Sequence, residues 1–408
     1  MRLGERAAAV AAVAVVCAAV QTTPAGALEL KPGTEHVNVT SDDVMGNDQS
    51  RYATISANGR YVAFWSYASN LAPGDSDDAA DVYVKDLRTG RVHWASDLTE
   101  GMDRGSPTVA PSISADGTRV AYPTLDGTEA HVHDIRTGRT ELVSDGTDAR
   151  FNSANAPSLS GNGRYVTFTA WPEQEPGTPP RVRVRDLRRG TGEWVDDPVA
   201  GEGQQVARPS LSHDGRHLAY LASGPAAADS DTHAYVLDRR TDRRTRVDPE
   251  CADDPAEYSV TDPVMGADGR HVSFRFKCRT LRPRGTNDTG DVFVKDLGNG
   301  SLRHVLGPKP QFATHTGRLS ADGRHVVFVA AEERVPRGPL QVIYRLELRT
   351  GRTDTVTARP DGTANQRPAS GPSTDAHGRA VAYDAVPLDL LGESSTATDR
   401  QVLVTRLR

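Results

Sequence analysis

Carboxylates crowd the loop GDSDDAAD, where Asp75, Asp77 and Asp81 stand within a few residues of one another. Several oxygen donors on one loop are what a calcium ion takes, so these three are the candidate metal ligands and Ca2+ the candidate cofactor. The loop RGTNDTGD, with Asn287, Asp288 and Asp291, repeats the pattern in part. Neither loop has the EF-hand order, and Asp with Gly is also ordinary turn material. His131 and His133 lie two apart in AHVHD. On a strand both imidazoles share one face, which supplies two zinc ligands with no third nearby in sequence. The sequence contains no G-x-S-x-G elbow, no H-E-x-x-H and no C-x-x-C, so nothing in it supplies a peptidase.

The elements that would position such residues come from a repeat. A nine-residue phrase recurs seven times, as SANGRYVAF at Ser56, SADGTRVAY at Ser114, SGNGRYVTF at Ser160, SHDGRHLAY at Ser212, GADGRHVSF at Gly266, SADGRHVVF at Ser320 and DAHGRAVAY at Asp375. Its glycines, from Gly59 to Gly378, are spaced by 46 to 58 residues, a period that suits a propeller blade and is long for a solenoid. Each phrase reads as a strand, an Asp-Gly or Asn-Gly turn, and a strand rich in Val and aromatics. A second hairpin follows, DVYVKDLRTGRVHWAS at Asp81 and DVFVKDLGNGSLRHV at Asp291 among its copies, so each unit is a four-stranded antiparallel blade. Val62 and Phe64 are apolar and so is Ala63 between them, which buries both faces of the sheet between neighbours. His217, His271 and His325 occupy one slot of the phrase, held elsewhere by Tyr61, Arg119, Tyr165 and Ala380; they are expected to pack between blades and not to converge on a metal.

The expected fold is therefore all-β, a seven-bladed β-propeller spanning residues 28–408. The seventh unit ends at QVLVTRLR without a fourth strand, and HVNVTSD, residues 36–42, resembles the fourth-strand segment VHWASD. The N-terminal strand is expected to join the last blade and close the ring, which removes open sheet edges.

The 408-residue chain is 37% hydrophobic with 37 Gly and 26 Pro, a composition of short strands and turns. Its net charge of -6 gives no electrostatic case for nucleic acid or an anionic membrane surface. Arg2 and Arg6 precede an apolar run from Ala7 to Val20 and small residues ending at Ala27, the pattern of a secretory signal peptide over residues 1–27. That run is too short to anchor a mature chain across a bilayer. The mature protein is expected outside the cytoplasm, as a monomer with two cysteines, Cys251 and Cys278. An exported chain with two thiols is expected to pair them, two separately buried thiols being the alternative.

The phrase S-x-D-G-R-x-V-x-F followed by D-V-Y-V-x-D-L-x-T-G resembles the WD40-like (PD40) repeats of TolB-type propellers, over essentially the whole mature chain. The resemblance implies a propeller and specifies little of its function. Some secreted oligogalacturonate lyases resemble the same repeat family and use histidines with a metal in the channel, which brings in a carbohydrate-active enzyme as an alternative.

In such a blade the phrase turns lie on one regular face of the disk, and the loops of variable length, such as TAWPEQEPGTPP, on the other. The innermost strands start from the variable face and line the central channel. Seven residues before each turn glycine stand Tyr52, Ala110, Ala156, Arg208, Asp262, Thr316 and Gly371. Tyr52, Arg208 and Asp262, with His315 and Arg318 beside the sixth slot, are the candidate ligand-binding residues of the channel mouth. Trp65, Tyr67 and Trp171 could add sugar-stacking surface. The primary expectation is a secreted or envelope-associated binding module for a protein, peptide or glycan, with no catalytic residue assigned.

Overall fold

The computed structural model describes residues 33–408 apart from 77–78, 97–105, 145–150, 173–179, 196–204, 224–231, 252–257, 279–280, 282–289, 310–311, 333–339, 366, 388–389 and 392–398. Within it, seven four-stranded antiparallel sheets succeed one another, and no α-helix occurs among the described residues. Blade 1 runs from Ser50 to Trp94, blade 2 from Ser112 to Leu142, blade 3 from Phe151 to Val195 and blade 4 from Gln205 to Arg246. Blade 5 follows from Ser259 to Val305, blade 6 from Ala313 to Thr355 and blade 7 from Ala369 to Arg406.

The first strands of successive blades contact one another in an unbroken circle, the first strand of blade 7 meeting that of blade 1. On the second strand of blade 1, Tyr61–Ser66, alternate residues serve opposite neighbours. Val62 and Phe64 pack with Ala380, Ala382, Val402 and Val404 of blade 7. Ala63 and Trp65 pack with Val120 and Tyr122 of blade 2. This two-sided burial explains why the strands read as nearly continuous apolar runs.

Blade 7 takes its outermost strand from Gly33–His36, which pairs antiparallel with Gln401–Arg406 from Gly33 opposite Arg406 to His36 opposite Leu403. This strand lies earlier than the segment 36–42 expected from the sequence. After Val37 the chain leaves the sheet and turns back, with a bridge between Val39 and Met45. Lys85 of blade 1 gives the physical reason. Its buried ammonium donates to the carbonyls of Val39 and Thr40, both at 2.9 Å, so those groups are not free to pair with a strand.

The repeated phrase is a turn motif in every part. In blade 4, Ser212 Oγ donates to Asp214 Oδ1 at 2.7 Å and accepts the His217 amide at 3.0 Å, while the Arg216 amide donates to Asp214. Successive hinges also bond to each other, as in Asn58 N to Ala115 O and Ala376 N to Ala57 O.

Candidate functional site

The channel is lined by first strands that share a defect. Six of them carry a register break against the second strand: at Arg51/Thr54, Asn155/Ser158, Ala207/Ser210, Thr261/Val264, His315/Arg318 and Ser370/Ser373. Inside five of these bulges one residue adopts the left-handed conformation, Tyr52 at φ 59, Arg208 at 52, Asp262 at 52, Thr316 at 55 and Gly371 at 61. Four of the five are not glycine, and such backbone costs energy that the surroundings must hold. A bulge re-aims a side chain away from the regular pleat, and five of the seven slots singled out from the sequence are these re-aimed positions.

The preceding blade helps to hold two of them. The Arg208 amide donates to Thr169 Oγ1 at 3.2 Å, and the Tyr52 amide to Asp384 Oδ1 at 3.4 Å. Thr169 and Asp384 occupy the fifth position of the second strand in their blades, the position of Trp65, Leu221 and Arg275 elsewhere. Trp65 there donates from Nε1 to the Val109 carbonyl at 3.1 Å. That position faces the bulge of the next blade, and the residue type chosen for it decides what the bulge meets.

Four of the five candidate residues come together across blades 4, 5 and 6. Arg208 Nη1 lies 3.3 Å from Asp262 Oδ1, with side chains 60% and 45% exposed, so the pair is open to solvent. His315 is half-buried, its Nδ1 3.2 Å from Thr316 Oγ1. Desolvation and then the neighbouring Arg275 push it down to about 4, against the pull of Asp262, so the ring is neutral at pH 7. Arg318 finds only the Gly317 carbonyl among the described residues, at 3.3 Å. Desolvation lowers its pKa and Asp262 opposes that shift, which leaves Arg318 a cation all the same. Among the described residues Asp262 is thus the one carboxylate acting on Arg208, His315 and Arg318. Tyr52 is not part of this group; it packs against the cluster between blades 1 and 2.

Arg275 was not singled out from the sequence, although a signal existed. HVSFRFK puts an arginine where the other blades have Trp65, Pro123, Thr169, Leu221, Val329 and Asp384. Asp384 shows the same signal in YDA; it accepts from Ser370 Oγ at 2.9 Å and from Arg400 Nη1 at 2.6 Å.

Trp65 corrects the stacking-surface expectation. It is 1% exposed, edge-on to Tyr122, because the blade interface covers it. Tyr67 is half-buried with its hydroxyl 3.3 Å from Ser106 Oγ, and the side chain of Trp171 lies outside the described residues.

Of the acidic loop, Asp77 lies outside the described residues, as do Asn287 and Asp288. Asp81 is buried and accepts from Trp94 Nε1 at 2.8 Å and from Ser96 Oγ; Asp75 accepts from the Tyr83 hydroxyl. Asp291 repeats the role of Asp81, accepting from His304 Nε2 at 2.9 Å and the Thr314 amide at 3.0 Å. His131 bonds Glu129 at 3.0 Å and His133 bonds Thr140 at 2.9 Å. Among the described residues no three of His, Cys, Asp and Glu are grouped to hold a metal ion. His217 and His325 lie against the turn glycines of the following blades, Gly269 and Gly378, each in its own blade interface. Cys251 and Cys278 form a disulfide with Cα atoms 5.9 Å apart, tying the segment before blade 5 to the end of its second strand.

No protein-family model matches the chain, and no curated protein does. Solved structures match over nearly its full length. An oligogalacturonate lyase from Vibrio parahaemolyticus is 13% identical over 93% of this chain and 99% of its own, at a TM-score of 0.60. The β-propeller domain of the Trilobed protease from Pyrococcus furiosus is 12% identical over 89% and 94%, at a TM-score of 0.57. TolB from Acinetobacter baumannii aligns more loosely, 15% identical over 87% and 79%, at a TM-score of 0.44. What the two better-aligned structures share with this chain is the propeller fold. At such identities the likeness says nothing of activity.

Proposed function

We propose that this chain is an exported, non-catalytic binding module that receives an acidic group of a peptide, protein or glycan in its channel. The observation that carries the reading is the balance of charge there. Among the described residues Arg208 and Arg318 share one carboxylate, Asp262, and the uncharged His315 lies beside them. Guanidinium forks suit carboxylates, and a channel wall strengthens the attraction relative to open water. The left-handed bulges present Arg208 and Asp262 on a rigid sheet, which is where a site keeps its geometry. Export is supported by the apolar N-terminal run and by the disulfide, a bond that persists in oxidising compartments.

One observation favours a carbohydrate-active enzyme instead. His315 is neutral at the channel mouth, and a carboxylate bound beside it would offset Arg275 and raise the affinity of the ring for a proton, as a base at the substrate requires.

Calorimetric titration of the purified protein with acidic peptides and with oligogalacturonate, together with an assay for new chain ends, separates the readings. Binding without turnover, weakened about tenfold in Arg318→Ala, is the outcome expected of the module. Turnover lost in His315→Gln would move the assignment to the enzyme. No binding of any acidic ligand, or equal binding by Arg318→Ala, would overturn the channel site.

A further inference from the structure

On the opposite, hinge face, blades 6 and 7 break a rule that blades 1, 3, 4 and 5 keep. The arginine of the repeated phrase clamps the aspartate that ends the third strand: Arg164 to Asp186 and Arg270 to Asp296 at 2.6 Å, with Arg60–Asp86 and Arg216–Asp238 alike. In blade 6 the acid is Glu347, and its carboxylate accepts from Thr350 Oγ1 at 2.6 Å instead, leaving Arg324 without it. In blade 7 the matching position is Arg406, since Ala380 faces Arg406 as Tyr61 faces Asp86. Arg406 pairs away with Glu35 at 2.7 Å. Arg379 therefore has no carboxylate to clamp among the described residues.

A third departure lies between them. Arg345 is buried where the other six blades have Val84, Val132, Val184, Val236, Val294 and Val404. It donates to the Gly378 carbonyl of the next blade at 2.7 Å and pairs with Asp354, which Arg352 also holds at 3.0 Å. Burying a guanidinium where valine serves elsewhere is costly, and the fold does not require it.

Arg324, Arg345, Glu347, Arg352, Asp354 and Arg379 line one open cleft together with Arg408, Asp322 and His377. Five arginines face three side-chain carboxylates, and all three are engaged: Asp354 by arginines, Glu347 by Thr350, and Asp322 by Ser320 at 2.6 Å and His377 at 3.1 Å. Arg324, Arg379 and Arg408 are exposed and make no side-chain bond among the described residues.

We infer that the cleft between blades 6 and 7 binds a multivalent oxyanion of the phosphate or sulfate class. Three unpaired forks around one concavity match several oxygens on one centre, which chloride cannot offer and a lone carboxylate uses only in part. The site stands apart from the channel and does not depend on its ligand.

The test is calorimetry of the whole protein with inorganic phosphate and sulfate at constant ionic strength set by chloride, alongside phosphoserine as an ester. Expected is saturable binding near one per chain, weakened about tenfold in Arg324→Ala/Arg379→Ala, whose exposed side chains leave the fold intact. Arg345→Val, which restores the residue of the other blades, should weaken binding while melting no lower than the parent. Tighter binding of phosphoserine points to an ester on a larger ligand, tighter binding of the inorganic ions to a free anion, and both support the site. Absence of saturable binding, or unchanged affinity in both variants, would refute it.

Discussion

Arg60 holds Asp86 through two parallel bonds, Nε to Oδ1 at 2.9 Å and Nη2 to Oδ2 at 2.6 Å, and so ties the first hairpin of blade 1 to the second. The carboxylate meanwhile accepts the Arg88 amide at 3.0 Å, so the same side chain also closes the second turn. Because the interaction is bidentate and its acceptor buried, Asp86→Asn should lower stability by about 1–2 kcal/mol despite the half-exposed arginine. Urea melts of parent and variant measure it.

The same clamp sets the acid limb of stability. Asp86 is held at about 2 although burial alone would raise it, because Arg60, the Arg88 amide and Thr89 outweigh desolvation. Asp186 and Asp296 are held at about 2 chiefly by Arg164 and Arg270. Carboxyls depressed in the folded chain supply stability that is complete above the unfolded value near ~3.9 and is lost as pH falls through the folded one. Melting temperature should therefore drop steeply between about pH 4 and 2, and less steeply in an Asp86→Asn/Asp296→Asn double variant.

Gly269 has two reasons to be glycine. Its φ is +67, and a Cβ there would stand 2.9 Å from Nδ1 of His217 in the preceding blade. Gly300 has a φ of +74 with nothing within 4 Å. Gly300→Ala should cost about 1 kcal/mol of backbone strain, and Gly269→Ala more, because the blade contact must also give way. Equal losses in denaturant melts would show that the hinge does not seat the next blade.

Much of this was legible in the sequence because it is local. Turn glycines, Ser-x-Asp hinges and strand alternation need only near neighbours, so they fix blade number and the channel slots, Arg208 and Asp262 among them. What was not legible depends on the adjacent blade. Trp65 reads as a stacking surface until blade 2 covers it, Arg275 gains meaning only once blade 6 places His315 beside it, and the joining strand reads as residues 36–42 until Lys85 claims the carbonyls of Val39 and Thr40.

Thr316 tests whether the bulges store strain. A β-branched residue at φ 55 is held against its preference, and no substrate group need touch it. Thr316→Gly should raise stability by up to about 1 kcal/mol, relief of strain exceeding the greater freedom of glycine in the unfolded chain. A lower melting temperature would mean that the Thr316 side chain contributes more than its backbone costs.

His315 supplies a pH dependence distinct from that of the clamps. Its folded value of about 4 lies below the ordinary ~6.5, so the unfolded chain binds the proton first. The stability it permits is complete above about 6.5 and declines as pH falls toward about 4, where the folded ring also becomes charged. Besides burial, Arg275 repels the imidazolium and Asp262 attracts it, and the repulsion with burial prevails. His93, His131 and His325 are also lowered by burial, so His315→Gln should make the fall in melting temperature between pH 6.5 and 4 shallower without abolishing it, and leave the steeper loss below pH 4 in place. If parent and variant fall together through the upper window, another histidine controls it, and the burial assigned to His315 is not what keeps the ring neutral.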